Sequence, residues 1–363
     1  MKYEVEENIA SAHTLPGAFY SDTTAFDLMG ERVFARSWQW IGEVTDVLEP
    51  RTLSPRDLLP GFLDEPLLLA RDASGTLRCL SNVCTHRGNI LVKAACAAKE
   101  IHCGYHSRRF DLAGRMTFMP EFGAAKDFPS PSDNLPAVPF GQWAGHAFAA
   151  LDPAASLADF LGDMQRGVAN LPLDALRFDA SRSREYTVNA HWALYVENYL
   201  EGFHIPFVHA GLNEVVDYSA YRTELHRWSN VQVAQARDGA PAAQYWWIFP
   251  NLMLNFYPWG LSLNLVEPQA IDRTRVLFRS YVWDASKREQ GAGAALDRVE
   301  AEDEAIVEAV HRGVRSRLYT RGRYSPAREA GVHHFHRMLC AALARETTTI
   351  PAGPTRDDLQ DLS

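Results

Sequence analysis

Long apolar runs are missing from the sequence. No stretch of the 363 residues approaches the ~20 consecutive apolar residues that a membrane-spanning helix needs. The first residues, MKYEVEENIASAHTLPG, are acidic and lack the apolar segment of a secretory signal. We therefore expect a cytoplasmic protein with no membrane contact.

Positive charge is also scarce. The chain has 36 Lys and Arg residues against 45 Asp and Glu residues, which gives a formal net charge of −9. Proteins that bind nucleic acids usually carry a basic excess or a basic stripe. The composition therefore predicts no nucleic-acid partner.

Cysteine is rare, with only five residues in the chain. They are odd in number and unevenly spread, which does not fit a framework of paired disulfides. In a reducing compartment such cysteines are expected to be metal ligands or packed thiols.

Three regions differ in texture. Residues 1–38 show helical spacing in part, and residues 39–155 are short apolar runs broken by Gly, Pro and Asp, which predict a β-rich domain. Residues 156–350 combine helical stretches with strand-like runs and a long helical pattern over about 292–318. This grouping favours an α+β fold with an antiparallel sheet, followed by a frayed tail over 351–363.

Two short motifs in the β-rich region each pair a thiol with an imidazole. Residues 84–88 read CTHRG and residues 103–107 read CGYHS. A Rieske [2Fe-2S] centre holds one iron with two thiolates and the other with two imidazoles. We therefore predict that Cys84, His86, Cys103 and His106 bind such a cluster.

A structural zinc site is the alternative for these four residues. Zinc sites more often keep like ligands together, as C-x2–4-C and H-x3–5-H pairs, so the mixed pairs favour the iron–sulfur cluster. Gly88 and Gly104 are expected to supply the tight turns of the two loops.

A second group of titratable residues lies in ENYLEGFHIPFVH, residues 197–209. His204 and His209 are separated by about 140° on a regular helix, so one helix would splay them apart. Pro206 is expected to end the helix near His204, so that the chain turns and returns His209 to the same point. Two imidazoles with open neighbouring positions suit Fe(II), Zn or Cu.

The long C-terminal helical pattern offers a third ligand. Its apolar stripe comprises Leu296, Val299, Ile306 and Val310. Asp303 occupies an apolar position of that stripe, and a buried carboxylate is costly unless it is paired or binds a metal. We predict that Asp303 completes a 2-His-1-carboxylate site, with a salt bridge as the alternative, and that Glu302 and Glu304 point about 80° and 115° away.

The order of these motifs resembles the catalytic (alpha) subunit of the Rieske non-haem iron oxygenases. The resemblance covers nearly the whole chain: C-x-H, C-x2-H, E-x2-H-x4-H and a late helical Asp. It implies a Rieske domain over 39–155 and a helix-grip (START/SRPBCC-like) catalytic domain over 156–350. Residues 1–38 are then expected to pack on the catalytic domain.

The same resemblance implies cofactors and partners. Each chain would hold one [2Fe-2S] cluster and one mononuclear Fe(II), in a homotrimer where one chain's cluster serves the neighbour's iron. Glu201 would hydrogen-bond a histidine ligand of each site. Electrons would come from a separate reductase, alone or with a ferredoxin, for a reaction of O2 with a small-molecule substrate. Because this chain shows no Gly-rich dinucleotide motif after a strand, NAD(P)H and flavin are expected on that reductase.

Within the family, the chain is similar to the choline, carnitine and glycine-betaine monooxygenases, which carry Glu where the aromatic-ring branch mostly carries Asp. This implies hydroxylation or oxidative N-dealkylation of a quaternary ammonium compound. Aromatic faces hold such cations through cation–π attraction. Candidate substrate-binding residues are Asn198, Phe203, Trp247, Tyr257 and Trp259.

One departure and three alternatives accompany this interpretation. That branch usually reads CPYHGW at the second loop, whereas this chain reads CGYHSRRF, and Ser107, Arg108 and Arg109 are expected to alter the surface that meets the reductase or the next subunit. The alternatives are an aromatic-ring hydroxylating oxygenase, a Rieske electron-transfer protein without catalytic iron, and a zinc-stabilised binding module.

Overall fold

The computed structural model describes residues 3–288, 291–294 and 296–345. The tail predicted over 351–363 lies outside the described residues. The α-helices are α1 (Thr23–Met29), α2 (Leu157–Gly167), α3 (Trp192–Tyr199), α4 (Ile205–Val208), α5 (Ala210–Val215), α6 (Leu296–Val314) and α7 (Ala330–Ala344). Among the described residues, no helix combines the length and the apolar character needed to cross a membrane.

The first half of the chain is built from small antiparallel sheets. Its strands are β1 (Gln39–Glu43), β2 (Thr52–Leu58), β3 (Glu65–Arg71), β4 (Leu77–Ser81), β5 (Cys96–Ala97), β6 (Ile101–His102), β7 (Arg109–Phe110), β8 (Met116–Phe118), β9 (Phe140–Trp143) and β10 (His146–Ala149). They pair in the orders β4-β3-β2-β5, β1-β10-β9 and β6-β7-β8. The first Cys/His motif lies between β4 and β5 of one sheet, and the second lies between β6 and β7 of another.

One large antiparallel sheet forms the second half. Its strands are β11 (Arg177–Phe178), β12 (Arg184–Val188), β13 (Arg222–Leu225), β14 (Ser229–Gln235), β15 (Pro241–Ile248), β16 (Leu252–Tyr257), β17 (Gly260–Ala270) and β18 (Arg273–Val282). The order is β11-β18-β17-β16-β15-β14-β13, and β12 also pairs with β18. The predicted α+β class is confirmed.

The N-terminal segment packs onto the second half through aromatic residues. The Phe34 and Trp192 rings meet edge to face at 4.9 Å, and the Tyr20 hydroxyl donates to Glu197 Oε1 at 2.7 Å. Burying such large rings supplies several kcal/mol, of order 1.5–3 per side chain, to hold the segment in place. The limits of the predicted domains stay predictions.

The buried face of α6 differs from the predicted stripe. Ile306 and Val310 are 40% and 42% exposed, whereas Glu300, Val307 and His311 are buried. The prediction was wrong because Glu300 and His311 lie on the face that packs against α3 and β12. A pattern based on apolar residues alone therefore predicted a different buried face.

Candidate metal centres and active-site cavity

The first Cys/His loop is closed by two backbone hydrogen bonds. The Cys84 N–H donates to the Asn89 carbonyl at 2.8 Å, and the Gly88 N–H donates to the Cys84 carbonyl at 3.0 Å. Gly88 has φ +69°, in the left-handed region that glycine adopts without strain. The prediction that Gly88 provides the turn is therefore confirmed.

The second loop repeats this pattern. The Cys103 N–H donates to the Arg108 carbonyl at 2.8 Å, and the Ser107 N–H donates to the Cys103 carbonyl at 3.1 Å. The left-handed residue here is Ser107, at φ +60°, and not Gly104 as predicted. The two loops present their Cys and His side chains from matching turns.

The four predicted cluster ligands come together with the thiols inside and the imidazoles outside. Cys84 and Cys103 are each 2% exposed, and the Asn89 amide donates to Cys103 Sγ at 3.6 Å. The His86 and His106 rings lie 4.7 Å apart between centroids and are partly exposed. Nδ1 of His106 is buried and has no hydrogen-bond partner among the described residues. This donor set and the orphaned nitrogen fit a Rieske cluster.

Arg108 is a buried residue that ties the cluster loops to their surroundings. It is 2% exposed, and its guanidinium donates to Thr85 Oγ1 at 2.8 Å and to Asp133 Oδ1 at 3.2 Å. Thr85 also donates to the Asp133 carbonyl at 2.7 Å. The prediction that Arg108 alters a docking surface was therefore wrong, because Arg108 is buried. Ser107 and Arg109 are exposed.

The second predicted metal site also has its donor atoms together. His204 Nε2 and His209 Nε2 lie 3.1 Å apart, and Asp303 Oδ1 lies 3.1 Å from His209 Nε2 and 3.5 Å from His204 Nε2. The three ligand atoms converge on one point from α6 and from the two ends of α4. Two imidazoles and one carboxylate on one side of a cavity fit a 2-His-1-carboxylate site.

Pro206 helps to set this geometry, but not in the predicted way. Helix α3 ends at Tyr199, and Pro206 lies in the first turn of α4, with His204 and His209 as its capping residues. Proline is favoured in a first helical turn because its missing N–H would have no partner there. It therefore begins a short helix between the two histidines instead of ending α3.

Glu201 orients His204. Its Oε1 accepts from His204 Nδ1 at 2.6 Å, and its Oε2 accepts from the His204 backbone N–H at 3.0 Å and from the Phe203 N–H. These bonds fix the ring so that Nε2 faces the other ligands. The contact of Glu201 with a neighbouring chain stays a prediction.

A cavity beside His204, His209 and Asp303 is rich in tyrosine. Among the described residues its lining includes Tyr195, Tyr199, Tyr221, Tyr245 and Tyr257. Burial raises the pKa of all these phenols, so they stay neutral hydrogen-bond donors.

The structure separates the five candidate substrate-binding residues. Asn198 and Tyr257 line the cavity. Phe203 is 41% exposed, and Trp247 and Trp259 are fully buried in the core, so these three lie outside the lining. The aromatic pattern of the strands therefore marked core residues as well as cavity residues.

A polar row crosses the sheet beneath the cavity. Successive strands β14 to β18 place the following residues directly opposite one another: Gln232, Tyr245, Asn255, Ser262 and Ser280. Tyr199 donates to Asn255 Oδ1 at 2.6 Å, and Gln232 Nε2 donates to the Tyr199 carbonyl at 2.6 Å. This row was not predicted from the sequence, although LSLNLVEP shows part of it as alternating polar and apolar residues.

Glu300 is a buried acid at the cavity. It is 7% exposed, and its Oε1 accepts from the Tyr195 hydroxyl at 2.5 Å. Burial raises the pKa of Glu300 to about 8, so the group is mostly neutral near pH 7. A cation placed beside it would favour the carboxylate form.

Comparison with known proteins covers both halves of the chain. The Rieske [2Fe-2S] domain family matches residues 37–129, and the catalytic domain of the ring-hydroxylating alpha subunit matches residues 219–345. The first match contains all four predicted cluster ligands and the second contains Asp303. His204 and His209 lie between the two matches.

The chain combines a Rieske [2Fe-2S] domain with the catalytic domain of a ring-hydroxylating oxygenase alpha subunit.

Relatives of this oxygenase align with most of its length. It is 28% identical over 360 residues to the chloroplastic choline monooxygenase of Arabidopsis thaliana, covering 90% of this chain and 82% of that protein. It is 28% identical over 359 residues to the carnitine monooxygenase oxygenase subunit of Escherichia coli (strain K12), covering 92% and 94%. These relatives identify it as an oxidoreductase that incorporates oxygen.

Solved structures share the fold of the oxygenase. A quaternary ammonium Rieske monooxygenase, described for its insights into carnitine oxidation by gut microbiota and inter-subunit electron transfer, superimposes with a TM-score of 0.73. It is 23% identical, and the match covers 93% of this chain and all of that one. The two matched domains imply a Rieske cluster and a mononuclear iron in an oxygenase that acts on a small molecule within a multicomponent system.

Two residues of the oxygenase support its predicted iron ligands in ways that the sequence analysis did not assign. Glu302 Oε2 accepts from His209 Nδ1 at 2.7 Å, so the prediction that Glu302 points away was wrong. Asn198 Nδ2 donates to Asp303 Oδ1 at 2.7 Å. The His209 ring lies between the two neighbouring acids, with Nδ1 toward one and Nε2 toward the other. The available signal was that a metal-bound histidine needs an acceptor for its second nitrogen.

Proposed function

We propose that this oxygenase hydroxylates or oxidatively N-dealkylates a small quaternary ammonium compound, such as choline, carnitine or a betaine. The observation that carries this proposal is the tyrosine-rich cavity beside His204, His209 and Asp303. Aromatic faces attract a quaternary ammonium group by ~2 kcal/mol when water is excluded. The choline and carnitine monooxygenases among its relatives support the same substrate class.

Charge in the cavity also favours a cation. The carboxylates of Glu201 and Asp303 line it together with the mostly neutral Glu300, whereas its described lining residues include no Lys or Arg. At short range in a partly desolvated cavity, opposite charges attract strongly and like charges repel. An anionic aromatic acid would therefore find no partner beside the metal ligands.

The polar row argues against the alternative of an aromatic hydrocarbon. Asn255 and Ser262 of this row line the cavity, and so does Asn264, which lies two residues after Ser262 on β17. Their side chains are amides and a hydroxyl. A hydrocarbon ring would desolvate these groups without offering them hydrogen bonds, at a cost of about 1–3 kcal/mol for each group left unpaired. A small polar cation with mobile water around it avoids that cost.

We assign the cluster to Cys84, His86, Cys103 and His106, and the mononuclear iron to His204, His209 and Asp303. When bound, the cluster relays electrons and the iron supplies the chemistry of dioxygen activation. The protein's own contribution is to hold the imidazoles in one tautomer and to place the substrate's ammonium group among the tyrosines. Glu201 fixes the tautomer of His204 by accepting from its Nδ1.

We also propose the predicted division into 1–38, 39–155, 156–350 and a tail, a homotrimeric assembly, and a separate reductase that binds NAD(P)H and flavin. Exposed aromatic residues beside both sites support the trimer. Phe207 is 80% exposed and Phe203 is 41% exposed next to His204, and Tyr105 is 58% exposed next to His106. Large exposed aromatic side chains are typical anchors of protein interfaces.

The first experiment is metal analysis with visible and resonance spectra of anaerobically purified protein, followed by reductase-coupled O2 uptake. We expect one Rieske cluster plus one further iron per chain, and uptake stimulated by carnitine, choline or betaines but not by aromatic acids. A cluster without further iron would indicate an electron-transfer protein. A colourless zinc protein would indicate a binding module, and uptake with aromatic acids alone would indicate a ring hydroxylase.

Variants of Tyr257 test the role of the rings directly. We expect Tyr257→Leu to raise KM for the quaternary ammonium substrate by about tenfold or more, because it removes a ring worth ~2 kcal/mol. Tyr257→Phe keeps the ring and is expected to leave KM nearly unchanged. Equal effects of the two variants would show that the hydroxyl, and not the ring face, matters.

A further inference from the structure

A second cavity of opposite charge adjoins the tyrosine cavity. The two cavities share Ser262, Phe278, Leu296 and Glu300 in their linings. The second cavity is also lined by Arg182, Arg184 and Arg298. Cationic side chains are thus confined to the end away from the metal ligands.

The charge of Arg184 and Arg298 is only partly neutralised. Arg184 Nη2 lies 3.6 Å from Asp297 Oδ2, which leaves that acid paired. Arg298 is exposed, and it forms no ion pair within the described part of the chain. Glu300, the other acid of this cavity, is hydrogen-bonded to Tyr195 and has a pKa raised by burial to about 8. The second cavity therefore offers a net positive site.

An aromatic stack connects the two cavities. The Arg182 guanidinium lies 5.7 Å above the Trp259 ring, and Trp259 is stacked on Tyr257 at 5.3 Å between centroids. Arg182 lines the second cavity and Tyr257 lines the first. Along α6, Arg298 precedes Asp303 by about 7.5 Å at 1.5 Å per residue, and Glu300, which lies between them in the sequence, lines both cavities.

We infer that the substrate is a zwitterion of the carnitine type, with its ammonium group among the tyrosines and its carboxylate held by Arg298 and Arg184. This inference rests on the proposed function and narrows its substrate class. Guanidinium groups bind carboxylates through charge-assisted hydrogen bonds, often in pairs. Because the arginines repel the ammonium group, the same arrangement fixes which end of the substrate faces the metal ligands. Choline has no carboxylate and would leave Arg298 without a counter-ion.

Calorimetric titration of the metal-loaded holoenzyme, without reductase, tests the inference. Carnitine and choline are titrated into the wild type, Arg298→Gln and Arg166→Gln, the last being a matched control at a 72% exposed arginine on α2. We expect the wild type to bind carnitine at least about tenfold more tightly than choline. Arg298→Gln should remove that advantage by weakening carnitine binding without weakening choline binding, and Arg166→Gln should change neither affinity.

Other outcomes distinguish a failure of the zwitterion inference from a failure of the proposed function. Equal wild-type affinities for the two ligands, or an Arg298→Gln effect of the same size on both, would overturn the zwitterion inference and leave the quaternary ammonium function standing. Binding of neither ligand would overturn the proposed function itself. The visible spectrum of the cluster, recorded for each variant, confirms that the variant is folded.

Discussion

Each predicted iron ligand has its own hydrogen-bonding partner. Glu201 accepts from His204 and Glu302 accepts from His209, and the Asn198 amide donates to Asp303. Partners of this kind fix the tautomer and the orientation of a ligand before a metal binds. The site is therefore held by side chains as well as by the turns around α4.

Removing the carboxylate of Glu302 should weaken iron binding. We expect Glu302→Ala to lower the affinity for the mononuclear iron by about 10–100-fold, because the His209 ring loses its acceptor. Glu302→Gln retains an acceptor oxygen and should recover most of the loss. Iron titration of the chelated protein measures the change, with the cluster spectrum as an internal control. Unchanged affinity in Glu302→Ala would show that α4 alone orients His209.

Arg108 should matter for the stability of the cluster loops. Arg108→Met removes the donor that Thr85 and Asp133 share and removes a cation from above the Phe128 ring, 5.5 Å away. We expect a loss of about 1–3 kcal/mol in the free energy of unfolding, because these acceptors lose a buried charged donor. Denaturant unfolding followed at the visible band of the cluster measures it.

The neighbouring Arg109 provides the control for this experiment. It is half exposed and pairs with Glu100 at 3.1 Å. Exposed pairs contribute about 0–1 kcal/mol, so Arg109→Met should change stability little. Similar losses in both variants would mean that the burial of Arg108 does not set its contribution.

Most helices and strands of the second half were predictable from periodicity, because alternating and helical patterns there agree with burial. The runs LMLNFYP and TRVLFRSYVW correspond to β16 and β18, and HHFHRMLCAALA lies in α7. The candidate Cys and His ligands could be named from the sequence because few other roles explain the C-x-H, C-x2-H and H-x4-H spacings. Their convergence in space follows from α4, which begins at Ile205 with Pro206 in its first turn, and Pro206 in the sequence was equally compatible with the end of a helix.

The residues that were missed or wrongly placed from the sequence are exceptions to general rules of burial. Glu300, Asn255 and Ser262 are polar but buried, so a rule that places apolar residues inside assigns them to the surface. Trp247 and Trp259 are aromatic and fill the core, so a rule that places aromatics near a cation assigns them to the cavity. Only the fold determines which face of each strand lines a cavity.

The contact between the small sheets and the large sheet should be sensitive to acid. His146 on β10 is 2% exposed; it accepts from Trp40 Nε1 at 3.1 Å and packs against Tyr281 of β18 at 4.9 Å between ring centroids. Burial lowers the pKa of His146 to about 4, below the ordinary value near 6.5. Between these values the unfolded chain binds more protons, so stability falls as the pH falls.

Between pH 7 and pH 5 this effect should cost about 2 kcal/mol. His146→Gln keeps an acceptor for Trp40 but does not titrate, so it should lose about 2 kcal/mol less than the wild type over the same interval. Urea unfolding at the two pH values measures both proteins. Burial also lowers the pKa of His191, to about 3, but His191 titrates in both proteins and cancels in the difference. Parallel losses would remove His146 as the acid-sensitive group.

The whole chain joins an electron relay to an oxygenase site, and the proposed trimer determines which relay serves which site. The cluster loops present Tyr105 to the outside, and α4, between His204 and His209, presents Phe207. If these faces meet between subunits, each site is completed by its neighbour. A closed ring of identical subunits repeats this contact three times.

Mixed trimers decide between transfer within and between subunits. His204→Ala should lack the mononuclear iron but keep the cluster spectrum, and Cys84→Ala should lack the cluster, so each homotrimer should be inactive. In a ring that contains both variants, one contact brings an intact cluster to an intact iron site, so about a third of the wild-type rate should return. Co-expression with two affinity tags yields such trimers for reductase-coupled assay. If electrons instead passed within each chain, the mixed trimers would be as inactive as their parents, because neither chain carries both centres.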